Sequence, residues 1–178
     1  MGPPDTGSPD TGPRRRFFFK VADHESIIAE RNTVLAGDDN PENLNVLRSM
    51  LEPAGFRVRI ARDGDQVLAS AAAEPPDIIL LDVHMPRKDG YETCGAIRSN
   101  ADLAEIPIIF VSALADPFNK RQAFELGAVD YFEKPLRMET VVKRLRNAIA
   151  LTYYRRRCRD LEAVLAEMST ESGTDRDK

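Results

Sequence analysis

From Thr33 onward, short apolar runs alternate with longer amphipathic ones. "TVLA" ends in Gly37-Asp38-Asp39, and "NPENLNVLRSMLEPAGF" then places Leu44, Leu47, Met50, Leu51 and Ala54 on one helical face. Asn40 reads as the cap of that helix, Pro41 stands at its first position, and Gly55 ends it. "RVRIA" alternates like a strand with one buried face. Gly64–Ala73 reads as a helix that Pro75-Pro76 breaks. "DIILLD" and "IPIIFVS" are apolar throughout, the pattern of strands covered on both faces. Tyr91–Ser99 and Phe118–Leu126 are helical, "VDYFE" is a strand, and a long helix starts at about Met138. Five strand–helix repeats predict an α/β fold: a parallel sheet with helices on both faces. Right-handed crossovers then make the open, doubly wound sheet the expected topology.

The first strongly polar residue after each buried strand falls at a telling place. Strand one runs into Asp38-Asp39, strand three into Asp82, strand four into Ser112 and strand five into Lys134. In a parallel sheet all carboxyl ends share one edge, and ligands of such folds bind there, where the strand order reverses. Residues spread over almost a hundred positions are therefore expected to meet in one crevice. Single polar strand ends are common, whereas three acids, a hydroxyl and a lysine on one edge define a site. Carboxylates held close together repel each other, and a hard divalent cation such as Mg²⁺ relieves that repulsion through oxygen ligands. An aspartate in such a setting can act as a nucleophile toward phosphorus, with the metal and Lys134 balancing charge on the phosphoryl group.

Composition narrows the alternatives. The chain has 178 residues, of which 42% are hydrophobic and 30% charged, enough for one domain with extensions. Its formal net charge of −4 gives no nucleic-acid signature. Cys94 and Cys158 are the only cysteines, which argues against a disulfide framework or a zinc site and fits a reducing, cytoplasmic setting. No apolar run approaches the ~18 residues of a membrane span. Dinucleotide and P-loop glycine fingerprints are absent.

Residues 1–32 are expected to be a mostly disordered extension, apart from a short helix over 21–32. Within it, Arg14–Lys20 ("RRRFFFK") reads as an arm that packs its Phe residues on the neighbouring domain rather than as a lipid or nucleic-acid contact.

The ordered set of these features closely resembles the receiver domain of two-component response regulators, of the chemotaxis type. The resemblance covers about Thr33–Ala150 and rests on the acid pair Asp38-Asp39, "DVHMPRKDG", "VSA" and "GAVDYFEKP". The spacing from Asp82 to Ser112, Tyr131 and Lys134, 30, 19 and 3 residues in turn, is that of the family. It implies a flavodoxin-like strand order 2-1-3-4-5 and a phospho-acceptor role for Asp82, served by a histidine kinase or phosphotransfer protein. It further implies Mg²⁺ (Mn²⁺ as a substitute) on Asp39, Asp82 and the backbone carbonyl of His84, with Asp38 binding through water. Lys134 would pair with the phosphate across a cis Lys134-Pro135 bond. Ser112 and Tyr131 would shift to change the face made by the fourth helix, fifth strand and fifth helix. Two departures stand out. Gly37 replaces the usual apolar residue and is expected to loosen the strand end. His84 reads as an exposed turn residue whose backbone matters, an acid–base tuning role being the alternative. Asp89-Gly90 reads as a turn and helix cap.

Beyond residue 150 the last helix continues. Leu151, Tyr154, Cys158, Leu161, Leu165 and Met168 recur at heptad spacing, with Arg157 at g and Glu162 at the following e, as in a parallel two-stranded coiled coil over residues 151–170. The alternative is one helix packing back on its own domain. Residues 171–178 read as a disordered tail, and "RRRCR" as a solvated helix face with no helix-turn-helix pattern after it. The expected activity is thus a phosphorylation switch, not an enzyme, with dimerisation or partner docking as output. No cyclase, phosphodiesterase or kinase pattern follows in this sequence. Two alternatives are an aspartate-nucleophile phosphatase, disfavoured because His84 stands where a general acid Asp is expected, and a degenerate receiver serving only as an interaction module.

Overall fold

The structure is a computed structural model that describes residues 32–113 and 117–173. The extension over 1–31 with its Arg14–Lys20 arm, and residues 174–178, lie outside the described residues. The elements run β1 (Thr33–Gly37), α1 (Pro41–Leu51), β2 (Arg57–Ala61), α2 (Gly64–Ala73), β3 (Ile78–Asp82), α3 (Gly90–Arg98), β4 (Ile108–Ser112), α4 (Pro117–Glu125), β5 (Asp130–Glu133) and α5 (Met138–Gly173). All four strand pairings are parallel, in the order β2-β1-β3-β4-β5. The chain is therefore a doubly wound, flavodoxin-like sheet, as the alternating pattern predicted.

Side-chain alternation along the central strands sorts the core into two layers. Leu35, Ile79, Leu81, Ile108 and Phe110 face α2, α3 and α4, meeting Val67, Cys94, Ile97 and Ala123. Val34, Ala36, Ile78, Leu80, Ile109 and Val111 face α1 and α5, meeting Leu44, Leu47, Leu51, Val141 and Leu145. Strands β3 and β4 are buried along their whole length, which is why they read as unbroken apolar runs.

The edge strand β2 departs from its pattern. Ile60 is 36% exposed, and Ala61, not the alternating hydrophobics, is the fully buried residue. Among the described residues no strand lies on its outer side, and β2 is held by arginines: Arg57 bonds Glu74 at 2.8 Å, and Arg59 reaches the Glu74 carbonyl at 2.6 Å and Ser70.

Gly37 sits where the strand is packed closely against α2. It is buried and paired with Ala61 on one side and Leu81 on the other. A Cβ there would lie 2.6 Å from Val67 Cγ2 and 3.2 Å from Leu81 Cδ1. Val67 of α2 fills the space a side chain would need.

Helix α5 is two segments in one. Up to Ala150 it buries Val141, Leu145, Ile149 and Ala150 in the core. Beyond, Leu151, Tyr154, Cys158, Leu161, Leu165 and Met168 are exposed. Arg156 and Arg159 both pair with Glu105 in the loop between α3 and β4. It stays helical to Gly173, through the first residues of the stretch read as a tail.

Candidate functional site

The carboxyl ends of β1, β3, β4 and β5 converge. Asp38, Asp39 and Asp82 each offer a carboxylate oxygen within 4.8 Å of the others. Asp38 and Asp82 are buried, while Asp39 is exposed at the rim. Lys134 Nζ donates to Asp38 Oδ2 at 2.9 Å and to Asp82 Oδ1 at 2.7 Å. The second Asp82 oxygen, Oδ2, accepts the His84 backbone N–H at 2.8 Å. Asp82 thus has one oxygen toward a cation and the other toward the turn that follows it.

Burial in the crevice raises the Asp82 carboxyl above the ordinary aspartate value, with the Asp38 charge adding to it. Lys134 pulls the other way through its hydrogen bond and charge, without cancelling the rise. Burial opposes charge on Lys134 as well, but its bonds to Asp82 and Asp38 outweigh that and lift the ammonium above its usual value. Crowded carboxylates with one shared lysine form a site short of positive charge. The donors are all oxygen, two of them on buried side chains, which is the chemistry a hard divalent cation requires.

Ser112 ends β4 fully buried, and its carbonyl accepts the Lys134 backbone N–H at 2.8 Å. Tyr131 is 3% exposed and belongs to the core layer under α3 and α4. The Lys134–Pro135 peptide is cis. His84 is exposed, so its backbone N–H is what it brings to Asp82. Asp89 caps α3 in a reciprocal capping box with Glu92, which removes it from the chemistry. The six heptad residues of α5, by contrast, lie beyond the segment that packs on the core.

Two contributors escaped the sequence reading. Asn43 on α1 donates from Nδ2 to both Asp38 oxygens at 3.0 Å, and the Asn40 N–H donates to Asp38 Oδ1 at 2.9 Å. The only signal was an asparagine one turn after the helix cap, a common surface residue. The other is Arg87, whose guanidinium donates to the buried Asp63 at the N-cap of α2. Nothing in the sequence links residues so far apart.

A doubly wound fold with three aspartates and a lysine at its strand ends defines a class of acidic-pocket signalling domains, and comparison with known proteins names the family. Residues 34–146 match the response regulator receiver domain, and the chain belongs to that family. The transcriptional regulatory protein KdpE of Mycobacterium tuberculosis (strain H37Rv) is 38% identical over 116 residues, 65% of this chain and 50% of that protein. A probable cyclic di-GMP phosphodiesterase of Vibrio cholerae is 36% identical over 113 residues, 64% of this chain and 25% of its own length. The chain thus spans half or less of the length of these curated relatives. Among solved structures, the receiver domain of a sensor histidine kinase from Pseudomonas aeruginosa PAO1, described with a magnesium ion coordinated in its active-site cleft, superposes with a TM-score of 0.62 at 32% identity. That match covers 66% of this chain and 97% of that one. Receiver domains bind Mg²⁺ at an acidic pocket, and the described residues of this chain include a cluster of that composition.

Proposed function

We propose that this receiver accepts a phosphoryl group on Asp82 from a phosphohistidine donor and uses it to change a protein contact. The observation that carries the reading is the double anchoring of Asp82: Oδ1 on Lys134 and Oδ2 on the His84 N–H, beside two further carboxylates. One Asp82 oxygen attacks phosphorus and forms an O–P bond. The P–N bond breaks, and its electron pair stays on the donor imidazole. Lys134 turns to the added phosphoryl oxygens, since phosphorylation removes the Asp82 carboxylate charge and an anion of about −1.5 to −2 outcompetes the one carboxylate partner, Asp38, that remains. Ser112, at the end of the neighbouring strand, donates its hydroxyl to a phosphoryl oxygen. These shifts reach Tyr131 and the face of α4, β5 and α5. Mg²⁺ would be held by Asp39, Asp82, the His84 carbonyl and Asp38, and when bound supplies positive charge against the carboxylates and the phosphoryl oxygens.

The output is a protein contact. The exposed seam of α5, Leu151, Tyr154, Cys158, Leu161, Leu165 and Met168, supports a parallel coiled-coil dimer in a cytoplasmic protein. Among the described residues, no helix is long and apolar enough to cross a membrane.

The test is incubation with phosphoramidate and Mg²⁺, followed by intact mass and acid–base lability. Wild type is expected to gain one labile phosphoryl group, and Asp82→Asn none. Labelling that persists in Asp82→Asn would remove Asp82 from the role. Steady release of phosphate from an ester would point to a phosphatase.

A further inference from the structure

The turn after Asp82 is tied to a helix that takes no part in the chemistry above. Among the described residues, Arg87 is the one non-glycine with positive φ, at 67°. The Lys88 N–H donates to the Pro86 carbonyl at 2.9 Å, so Arg87 sits at the centre of a three-residue turn of the rare positive-φ kind. A long side chain holds that conformation only where its surroundings impose it. Here the guanidinium donates to Oδ2 of Asp63, whose side chain is 4% exposed. Asp63 is fixed in turn, with Oδ1 accepting the Gln66 N–H at 2.8 Å and Oδ2 accepting Gln66 Nε2 at 2.7 Å. Lys88 Nζ lies 3.1 Å from Asp65 Oδ1 and forms a second, exposed strap to the same helix. Between the straps, Gly64 has no room for a Cβ against Thr93 Oγ1 and the Lys88 carbonyl, so α2 and the turn meet backbone to backbone.

The turn is held at two more points. Met85 is buried in the core, and the Gly90 N–H donates to the Val83 carbonyl at 3.0 Å. His84 lies within this pinned segment, and its N–H is the group on Asp82 Oδ2. A buried carboxylate on α2 thus fixes, through one arginine, the backbone that faces the acceptor oxygen.

We propose that Arg87, held by Asp63, is a positioning residue for the phospho-acceptor site. The pair sets the turn that presents the His84 N–H to Asp82 and the His84 carbonyl to Mg²⁺. This rests on the phospho-acceptor reading.

The test uses the full chain with Arg87→Ala, Arg87→Gly, Arg87→Lys, Asp63→Ala and the Arg87→Ala/Asp63→Ala double variant. Four quantities are measured: Mg²⁺ affinity by calorimetry, hydrogen exchange of the His84 amide by NMR, the rate of labelling by phosphoramidate, and Tm. Arg87→Ala and Asp63→Ala are each expected to weaken Mg²⁺ binding and slow labelling by about tenfold, as loss of an outer support does at metal sites. The double variant is expected to be no worse than either single one, and Arg87→Lys to recover part of the loss. Glycine accepts the positive φ without strain. Arg87→Gly is therefore expected to lose less Tm than Arg87→Ala yet show the same tenfold loss and faster His84 exchange. Arg87→Gly with wild-type Mg²⁺ affinity, labelling and His84 exchange overturns the proposal, as do single effects that multiply in the double variant. A wild-type chain that takes no phosphoryl group overturns the phospho-acceptor reading instead, while Mg²⁺ affinity and the His84 amide still decide the role of Arg87.

Discussion

At the residue scale, Gly37 and Asp63 show how one side chain can carry a constraint from an element that is distant in sequence. Gly37 is required by Val67 and Leu81, neighbours that only the folded sheet supplies. Asp63 is both the cap of α2 and the anchor of Arg87. The Gln66 backbone N–H, together with Arg87, holds its carboxyl below the ordinary value of 3.8 in spite of its burial. The unfolded chain therefore binds the proton more readily than the folded one. The stabilisation this group contributes is present above that ordinary value and is lost as the pH falls through the lower folded value. Asp63→Asn keeps a good cap residue but loses the charge. Its Tm is expected to lie below that of wild type near neutrality, with the gap closing in acid. Circular dichroism melts between about pH 2 and 6 read this directly, and a gap independent of pH would refute it.

At the element scale, the two ends of α5 obey different rules. The segment up to Ala150 was legible as a helix, and the structure turns its Val141, Leu145 and Ile149 toward the sheet. The later segment carries an exposed heptad seam, of which Leu151, Tyr154 and Cys158 border the groove where Glu105 pairs with Arg156 and Arg159. In a parallel pair, Cys158 meets its counterpart across an a position, within the span of about 4.4–6.8 Å between Cα atoms that a disulfide bridges. Mild oxidation with diamide, which takes up the two thiol protons and two electrons, is expected to give a cross-linked dimer on non-reducing gels. Cys94 is buried and will not contribute. Cys158→Ser should abolish the cross-link, and Leu161→Asp should prevent it by disrupting the seam. A chain that stays monomeric by light scattering and does not cross-link would sink the coiled coil. The edge strand β2 teaches the converse lesson. Its alternating letters promised a buried face; Val58 does pack on the core, but Ile60 is solvated, and the strand is fixed by Arg57 and Arg59 on the helix that follows it.

At the scale of the whole molecule, the fold gathers negative charge that it does not fully neutralise. Asp38 and Asp82 share Lys134 while Asp39 lies beside them, and burial, with the Asp38 charge adding to it, raises the Asp82 carboxyl. A cation binding only the folded state stabilises it by mass action, by about 2.7 kcal/mol at a hundredfold excess over Kd. Mg²⁺ is therefore expected to move the urea midpoint upward in wild type, and by much less in Asp39→Asn. Sodium chloride at equal ionic strength serves as the control. The same shift with sodium alone would mean general screening and not a bound ion.

The sequence by itself determined the order of elements, the parallel sheet and the acids at its carboxyl edge. Those follow from local periodicity and from the rule that parallel strands end together, so Asp38, Asp82, Ser112 and Lys134 could be brought to one crevice on paper. Only the tertiary structure decided what holds them there: Asn43 on Asp38, the His84 N–H on Asp82, and Arg87 on Asp63. These are contacts between side chains or turns on separate elements, set by distances of a few ångströms. No pattern along the chain encodes such distances, because periodicity says which face a residue occupies and not what it meets.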